Sequence, residues 1–465
     1  MRLSGKQDRD SAGMQVRRND YRRYLKECPE MLSICDSIFQ DEVRKDAFAA
    51  DCVYAAIPVL QSYLVWVLER AGRRRIKRLY FLARDGYLMC RMAECLAGEM
   101  GLDIECRYLY ASRYAWRIPA YHLLGERALD YICRDGMNVT FQKVMERSGV
   151  PAETAARVGK MLGMEARPDE RLNRRMLGKV KEQLAKCRIF MEQMEAVSGR
   201  EYDIAVGYLN QEGLFDDIEW AVVDSGWTGS LQEMLQRLLY KKGYRKEITG
   251  FYFGLYSLPA AAEHCSYEWF YFGPYGGAVK KAGFCNNLFE CMYSAPHGMT
   301  VGYEKKNNDI VPVFSGRIAE NCRKAEREEE ILEKYIEKRR LRKEKASPEC
   351  LEEKKIQRIF YSLMGKPLKE EAMSWGTFLF SDDVTENVMR PLAEIMGKKE
   401  IGSMDLFPRL AGKAGKGKSE SAWEEGSLAL AESRFIGWHR LNIKCYRYLL
   451  AVRTGINNGR NCPRK

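Results

Sequence analysis

The chain has 465 residues, which is enough for two or three domains with complete hydrophobic cores. It carries 76 Lys and Arg against 64 Asp and Glu, and this formal net charge of +12 favours anionic partners such as phosphates, acidic glycans or a lipid surface. Its 15 cysteines include no CxxC pair, which argues against a disulfide framework and is typical of reduced, mostly buried thiols.

The first part of the chain predicts no membrane span. The segment Met1–Arg23 is polar and charged and has no apolar run of the kind found in a secretory signal. Val53–Leu68 is the most apolar window, but Pro58 and Gln61 interrupt it and it is shorter than a membrane span. We therefore expect a core helix here, in a protein of the cytoplasm or of the inner face of the membrane.

Two apolar runs each end in charged or hydroxyl-bearing residues. They are Leu79–Leu82 and Tyr108–Ala111, and both have the length of a buried strand. Strands that alternate with helices at this spacing predict a parallel sheet, so the polar residues after the runs are expected at one shared site. Those residues are Arg84, Asp85 and Gly86 after the first run, and Ser112 and Arg113 after the second.

The stretch Trp220–Leu235 combines a buried strand, a polar glycine-containing loop and the start of a helix. Asp224 follows the apolar run, at the carboxyl end of the predicted strand. Such a loop places backbone N–H groups and hydroxyls at a helix N-terminus, where they favour a phosphate. The alternative is an ordinary turn in which Ser225, Thr228 or Ser230 serves as the N-cap of the helix.

The remaining segments complete the predicted organisation. The pattern from 120 to 215 is helical, which predicts an insertion between two strands, and Thr249–Phe253 is a further strand. We expect an α/β fold with a Rossmann-like parallel sheet in 53–303, a helical segment in 1–52 and a mainly helical region in 304–465. Gly412–Ser419 has the spacing of a P-loop, but no strand precedes it and no helix follows it, so we expect a basic loop.

The segment Glu432–Arg453 predicts an amphipathic helix. Phe435, Trp438, Leu441 and other apolar residues share one face, and the basic residues lie off it. Such a helix docks on the core or lies at a membrane interface, and the pattern alone is compatible with both. A peripheral membrane contact is therefore one expected interaction of this chain.

Five sequence blocks in a fixed order resemble a known protein region. The region is the carboxyl-terminal part of large bacterial proteins from surface-polysaccharide gene clusters, where it commonly follows a haloacid-dehalogenase-type phosphatase domain. The blocks are FLARDGYLM at Phe81–Met89, YLYASRYAWRIPA at Tyr108–Ala120, VVDSGWTGSLQ at Val222–Gln232, GFYFGLY at Gly250–Tyr256 and FECMYSAPHG at Phe289–Gly298. The DxDxT nucleophile motif of the phosphatase domain is absent from this sequence, so phosphatase activity is not expected.

The same region resembles the core of a type I phosphoribosyltransferase. Such enzymes hold phosphoribosyl pyrophosphate and Mg²⁺ on a parallel sheet. The resemblance implies that Asp224 contacts the ribose, that Gly226–Ser230 cradles the 5-phosphate, and that the first strand end binds pyrophosphate. It implies catalytic roles for Asp224, Arg84, Asp85 and Arg113, Mg²⁺ at Asp85 and Asp224, and substrate contacts from Gly86, Ser112, Ser225, Gly226, Trp227, Thr228, Gly229, Ser230 and Glu290. The usual acidic pair of the family is reduced here to Asp224 and Ser225, so we do not expect a nucleotide-salvage enzyme.

The expected function is transfer of a phosphoribosyl group from phosphoribosyl pyrophosphate to a hydroxyl of a glycan or lipid-linked glycan. The context implied by the resemblance is synthesis of a capsule or O-antigen polysaccharide, with a separate phosphatase as a partner and no role for nucleic acid. Two alternatives stay open. One is a nucleotide-sugar glycosyltransferase on a related α/β scaffold, and the other is a non-catalytic partner in polysaccharide assembly.

Overall fold

A five-stranded, all-parallel β-sheet forms the centre of the protein. The structure is a computed structural model that describes residues 4–136, 139–259, 263–341, 347–381, 389–411, 421–431 and 433–461. The strands are β1 (Arg78–Leu82), β2 (Glu105–Leu109), β3 (Trp220–Trp227), β4 (Ile248–Leu255) and β5 (Cys265–Phe272). Their order across the sheet is β2-β1-β3-β4-β5, which is one of the common doubly wound orders of α/β proteins. The predicted α/β class with a Rossmann-like parallel sheet is therefore confirmed.

Helices precede the first strand. They are α1 (Ser4–Tyr24), α2 (Pro29–Asp41), α3 (Ala47–Asp51) and α4 (Ile57–Arg73), with a π-helical turn at Cys52–Ala56. Among the described residues, Ala47–Arg73 is the one helical stretch long and apolar enough to cross a membrane, but 94% of its most apolar window is buried inside the protein. The predicted core helix is therefore confirmed.

A helical insertion separates β2 from β3. Helix α5 (Gly86–Glu99) first connects β1 to β2. The insertion contains α6 (Arg113–Leu124), α7 (Leu129–Ile132), α8 (Phe141–Ser148), α9 (Ala152–Met161), α10 (Arg174–Lys186) and α11 (Arg188–Gln211). We predicted this insertion from residue 120, but it begins at Arg113 because Ser112 is an N-cap whose hydroxyl accepts a hydrogen bond from the Ala115 N–H.

The chain after β3 is mostly helical. The connecting helices are α12 (Ser230–Lys241), α13 (Ala278–Ala282) and α14 (Asn286–Met292), followed by an antiparallel hairpin of β6 (Thr300–Lys306) and β7 (Asp309–Phe314). The later elements are α15 (Ala319–Arg340), α16 (Glu353–Phe360), α17 (Lys369–Gly376), β8 (Leu379–Phe380), β9 (Arg390–Pro391), α18 (Lys398–Ser403), α19 (Leu406–Leu410), α20 (Glu424–Leu430) and α21 (Ile436–Asn461). The P-loop-like segment Gly412–Ser419 lies outside the described residues.

Both faces of the sheet are covered by helices, as parallel strands require. In β1, Leu79 and Phe81 belong to a core that also contains residues of α1, α2, α4, α5 and the C-terminal helices. Tyr80 and Leu82 point the other way, into a second core with the helical insertion and α12. The N-terminal and C-terminal segments therefore share one core with the sheet, and the insertion supplies the other.

The strand predictions were correct in the centre of the sheet and less accurate elsewhere. We placed β2 at Tyr108–Ala111, but it spans Glu105–Leu109, and β5 was not predicted as a strand. Both are edge strands, in which polar residues alternate with apolar ones, so a search for apolar runs finds only part of them. We also expected a loop from Asp224 onwards, but β3 continues to Trp227 because it pairs there with β4.

The start of α5 offers a test of the packing against β1. A Cβ added at Gly86 would lie 2.7 Å from the carbonyl carbon of Phe81, whereas one added at Gly98 in the same helix would meet nothing within 4 Å. We expect Gly86→Ala to destabilise the protein by about 1–3 kcal/mol through overpacking. Gly98→Ala is the matched control and should stabilise it by roughly 0.5–1 kcal/mol. Urea denaturation of both variants measures the difference, and equal effects would contradict this packing.

Candidate functional site

The strand register aligns the carboxyl ends of β1, β2 and β3. Leu82 at the end of β1 pairs with Leu109 at the end of β2, and Phe81 pairs with Val223 in β3. The residues that follow all lie at one edge of the sheet. The chain also changes direction here, since β2 lies on one side of β1 and β3 on the other. Such a switch point is where open α/β sheets bind ligands.

A cavity of about 180 Å³ lies at this edge. Most of the predicted site residues line it, namely Arg84, Asp85, Ser112, Arg113, Asp224, Ser225, Gly226, Trp227, Thr228, Ser230 and Glu290. Gly86 and Gly229 do not line it. Gly86 packs against the backbone of Phe81, and Gly229 opens α12 in a left-handed conformation with its Cα against the ring of Tyr267.

Three carboxylates line the cavity: Asp85 after β1, Asp224 in β3 and Glu290 in α14. Burial raises the pKa of Asp224 to about 7, and the nearby Glu290 adds to the rise, while the N–H groups of Ser225 and Gly226 oppose it. Burial and the charges of Glu290 and Asp224 raise the pKa of Asp85 well above its usual range. Ser225 donates a hydrogen bond to Asp85, and Trp227 Nε1 donates one to Glu290 Oε1 over 2.6 Å. The arrangement favours a cation or protons between these groups.

Arginines and helix N-termini face the same cavity. Arg84, Arg113 and Arg134 line it, and α5, α6 and α12 all begin beside it. Sequence reasoning missed Arg134, because it follows α7 in the insertion and no strand end marks it. Guanidinium groups and unpaired helical N–H groups both bind phosphate oxygens, so this side of the cavity suits an anion.

A fourth arginine lies behind this group. Arg117 is buried in α6, and its Nε and one Nη have no hydrogen-bond partner among the described residues. Its guanidinium lies over the ring of Tyr131, 5.1 Å from the centroid. Burial and the neighbouring Arg113 lower the pKa of Arg117 to about 9. A desolvated cation here strengthens the positive potential behind Arg113.

The loop before α12 directs its hydroxyls to the cavity rather than to the helix. The N-cap of α12 is Gly229, with no side-chain cap, so the alternative in which Ser225, Thr228 or Ser230 caps this helix is wrong. The Thr228 hydroxyl donates a hydrogen bond to the Ser230 hydroxyl over 3.2 Å, and both residues line the cavity. The Ser230 hydroxyl keeps its own proton for a bound group.

An unusual backbone shapes the same loop. Gly226 has a φ of 114°, and a Cβ there would lie 2.3 Å from the carbonyl oxygen of Gly254. Trp227 also has a positive φ, 76°, which is rare for a large residue. Its ring packs among Phe272, Phe284 and Phe289. The predicted substrate residue Trp227 therefore anchors the loop and orients Glu290, while its ring stays in an aromatic cluster.

Two polar residues near the cavity have structural roles. The Ser112 hydroxyl donates to the carbonyl of Thr300 over 2.6 Å and caps α6, so its proton is already used. His297 donates from Nδ1 to the carbonyl of Gly298, so its Nε2 accepts from the Tyr108 hydroxyl over 2.8 Å. Burial lowers the pKa of His297, which keeps the ring neutral. If Ser112 contacts a substrate as predicted, it does so through its backbone or by accepting a hydrogen bond at its hydroxyl oxygen.

The donor set fits Mg²⁺ only if a ligand supplies further oxygens. Among the described residues, no group of three or more His, Cys, Asp or Glu side chains is arranged to hold a metal ion. Mg²⁺ usually takes one or two carboxylates together with substrate phosphates and waters. Asp85 and Asp224 match that pattern, and because burial and the neighbouring carboxylates raise their pKa values, a bound cation would stabilise their ionised forms.

Comparison with known proteins gives no independent assignment. No family model matches this chain, and no curated protein is significantly similar to it.

The raised pKa of Asp224 predicts a pH-dependent cost to stability. In the unfolded chain this carboxyl ionises near pH 4, but in the folded protein it keeps its proton to about pH 7. Folded protein therefore binds more protons between these values, and stability falls as the pH rises through that window. We expect Asp224→Asn to stabilise the protein by roughly 2–4 kcal/mol at pH 8 and by almost nothing at pH 4.

Chemical denaturation at the two pH values measures this effect. The surface variant Asp103→Asn is the control, because Asp103 is exposed and should show little change at either pH. Equal stability of Asp224→Asn and the unmodified protein at pH 8 would show that Asp224 is not held at an energetic cost.

Proposed function

We propose that the cavity binds phosphoribosyl pyrophosphate with Mg²⁺ and that the chain transfers the phosphoribosyl group to a hydroxyl of a glycan. The observation that carries this proposal is the combination of three cavity-lining arginines, a hydroxyl-bearing loop at a helix N-terminus and three carboxylates. Phosphoribosyl pyrophosphate has the matching chemistry, since anionic groups stand at both ends of a sugar with two hydroxyls.

The residues divide between the two ends of such a donor. Thr228, Ser230 and the N-terminus of α12 suit the 5-phosphate, since they offer hydroxyl and backbone donors without a competing carboxylate partner. Arg84 and Arg113 suit the pyrophosphate, and Arg134 extends that side. Asp224 lies in β3 and lines the same cavity, and its ionised form suits the ribose hydroxyls as a hydrogen-bond acceptor.

The reaction follows from this placement. The bond from C1 to the pyrophosphate oxygen breaks, and its electron pair leaves with pyrophosphate, so positive charge develops on the ribose ring. The acceptor oxygen forms the new bond to C1, and its proton leaves with the pyrophosphate. Arg84 and Arg113 stabilise the departing charge, and Asp224 stabilises the developing cation. Mg²⁺ would add Lewis-acid neutralisation of the pyrophosphate.

The lining of the cavity matches the charges of this donor, since its arginines and hydroxyls can contact phosphates and its carboxylates can hold Mg²⁺. The surface-polysaccharide resemblance supports a glycan as the acceptor.

Thermal stabilisation by a panel of donors tests the proposal. Phosphoribosyl pyrophosphate with Mg²⁺ should raise the melting temperature in a concentration-dependent way, and chelation of Mg²⁺ should reduce the shift. Nucleotide sugars should give no shift. Stabilisation by a nucleotide sugar alone would select a glycosyltransferase with that donor, and no shift with any donor would support a non-catalytic assembly partner.

Substitutions in the loop before α12 test the placement of the 5-phosphate. Because neither hydroxyl caps the helix, Thr228→Ala and Ser230→Ala should change stability by less than about 0.5 kcal/mol. Each should weaken binding of phosphoribosyl pyrophosphate by roughly 1.5–3 kcal/mol, or about ten- to a hundredfold, through loss of a hydrogen bond to a charged group. Calorimetric titration measures the affinity.

The control is Thr140→Ala, which removes a true helix cap. Thr140 accepts a hydrogen bond from the Lys143 N–H at the start of α8 and does not line the cavity. We expect it to cost about 1 kcal/mol of stability and to leave donor affinity unchanged. If the two loop variants behaved like Thr140→Ala, the loop would be structural and the phosphate placement would be wrong.

A further inference from the structure

Helix α21 docks on the protein through its polar side. His439 Nδ1 lies 2.9 Å from Asp405 Oδ1, and Arg447 donates to Glu425 over 2.8 Å. Further along, Asn458 donates to the carbonyl of Tyr256 over 2.7 Å. These residues and the buried Ile443 share one face of the helix. The docked face of α21 is thus held mainly by hydrogen bonds and ion pairs.

The apolar side of α21 borders α13 along part of its length and is otherwise exposed. Trp438, Leu441 and Ile456 expose 58%, 53% and 53% of their surface, and Tyr448 exposes 44%. These residues follow each other at helical spacing and form one stripe along the helix, to which Cys445 also belongs. A surface helix normally buries such a stripe against the core. An exposed apolar stripe of this length marks an interaction surface.

The stripe continues onto a neighbouring helix. A groove of about 370 Å³ separates α21 from α13, and its apolar lining includes Val279, Leu441 and Tyr448. Val279 is itself 56% exposed. Lys444 is the one charged residue in the lining of this groove. The apolar surface is therefore wider than one helix, as insertion into an interface requires.

The charge of α21 indicates which kind of partner binds its apolar stripe. The helix has no Asp or Glu, and it contains five basic residues, namely Arg440, Lys444, Arg447, Arg453 and Arg460. Lys444 and Arg453 are exposed and lie on opposite sides of the apolar stripe. A second copy of the chain would bring two basic helices together, whereas an anionic lipid surface would complement both the charge and the apolar stripe.

We propose that α21 is an interfacial helix that binds this protein to an anionic lipid bilayer. The apolar stripe lies among the acyl chains just below the headgroups, Trp438 and Tyr448 lie at the headgroup level, and Lys444 and Arg453 contact lipid phosphates. This inference rests on α21 and α13 and does not depend on the reaction proposed above.

The binding surface also has a fixed relation to the cavity. Asn458 of α21 bonds to the Tyr256 carbonyl, and the Tyr256 ring lies 6.0 Å from the Trp227 ring of the cavity loop. Bilayer binding through α21 would therefore fix the position of the cavity loop relative to the membrane. If the proposed transfer reaction is correct, this arrangement suits an acceptor glycan carried on a lipid.

Vesicle flotation of the full chain tests this inference. The probes are vesicles of phosphatidylcholine with about one third phosphatidylglycerol, and vesicles of phosphatidylcholine alone. We expect flotation with the anionic vesicles, much less with the neutral ones, and a decrease as salt is raised. Two double variants should each lower the binding about tenfold or more: Trp438→Glu with Leu441→Glu, and Lys444→Glu with Arg453→Glu.

The control is Met161→Glu, in the insertion. Met161 has the same exposure as Trp438, 58%, but lies in α9, so this variant should bind vesicles as the unmodified protein does. The charge variant keeps the test valid if the apolar variant fails to fold. Absence of flotation with anionic vesicles, or equal loss in Met161→Glu, would overturn the inference. So would sedimentation showing that the α21 variants only convert a dimer into a monomer.

Discussion

Strands β1, β2 and β3 end at the same edge of the sheet, and the rest of this site depends on that alignment. The pairs Leu82 with Leu109 and Phe81 with Val223 fix the alignment through backbone hydrogen bonds. Because the strands are parallel, every residue that follows them emerges at the same edge, and each following helix begins there with its N–H groups exposed. Register thus brings together the residues that follow these three strands, while packing of the insertion and of α14 adds Arg134 and Glu290.

The carboxylates in the cavity differ physically from other buried carboxylates in this protein. Asp51 accepts hydrogen bonds from Tyr21 and Trp375, and Glu371 pairs with Arg17, so these groups join the N-terminal and C-terminal helices in a well-partnered cluster. Asp85 and Asp224 instead face a third carboxylate across a cavity. Burial raises the pKa values of Asp51 and Glu371 as well, so a raised pKa alone does not mark a site. Asp85 and Asp224 differ because they line an open cavity beside arginines, and carboxylates with raised pKa values in a cavity are typical of binding sites.

Sequence patterns predicted the parts of this fold that depend on burial. The central strands are buried on both faces, so their apolar runs and the polar residues after them were recognisable, and these located most of the cavity lining. Edge strand β5, the continuation of β3 to Trp227 and the contribution of Arg134 depend on pairing and packing between distant segments, which leave no local pattern. Helix α21 shows the same limit. Its periodicity revealed an apolar stripe, but only its tertiary hydrogen bonds show that much of the stripe is exposed.

The apolar stripe and the cavity are connected by the aromatic residues around Trp227. That ring contacts Phe272, Phe284 and Phe289, and Tyr256 links the same cluster to Asn458 of α21. Trp227 has a positive φ and lies in the loop that also carries Thr228 and Ser230. The aromatic cluster around Trp227 therefore fixes the cavity loop and also contacts the residue on which α21 docks. A rigid connection of this kind keeps a surface-bound helix and a ligand cavity at a constant distance. Close-packed aromatic rings suit this role because a densely packed interior has low compressibility and transmits strain.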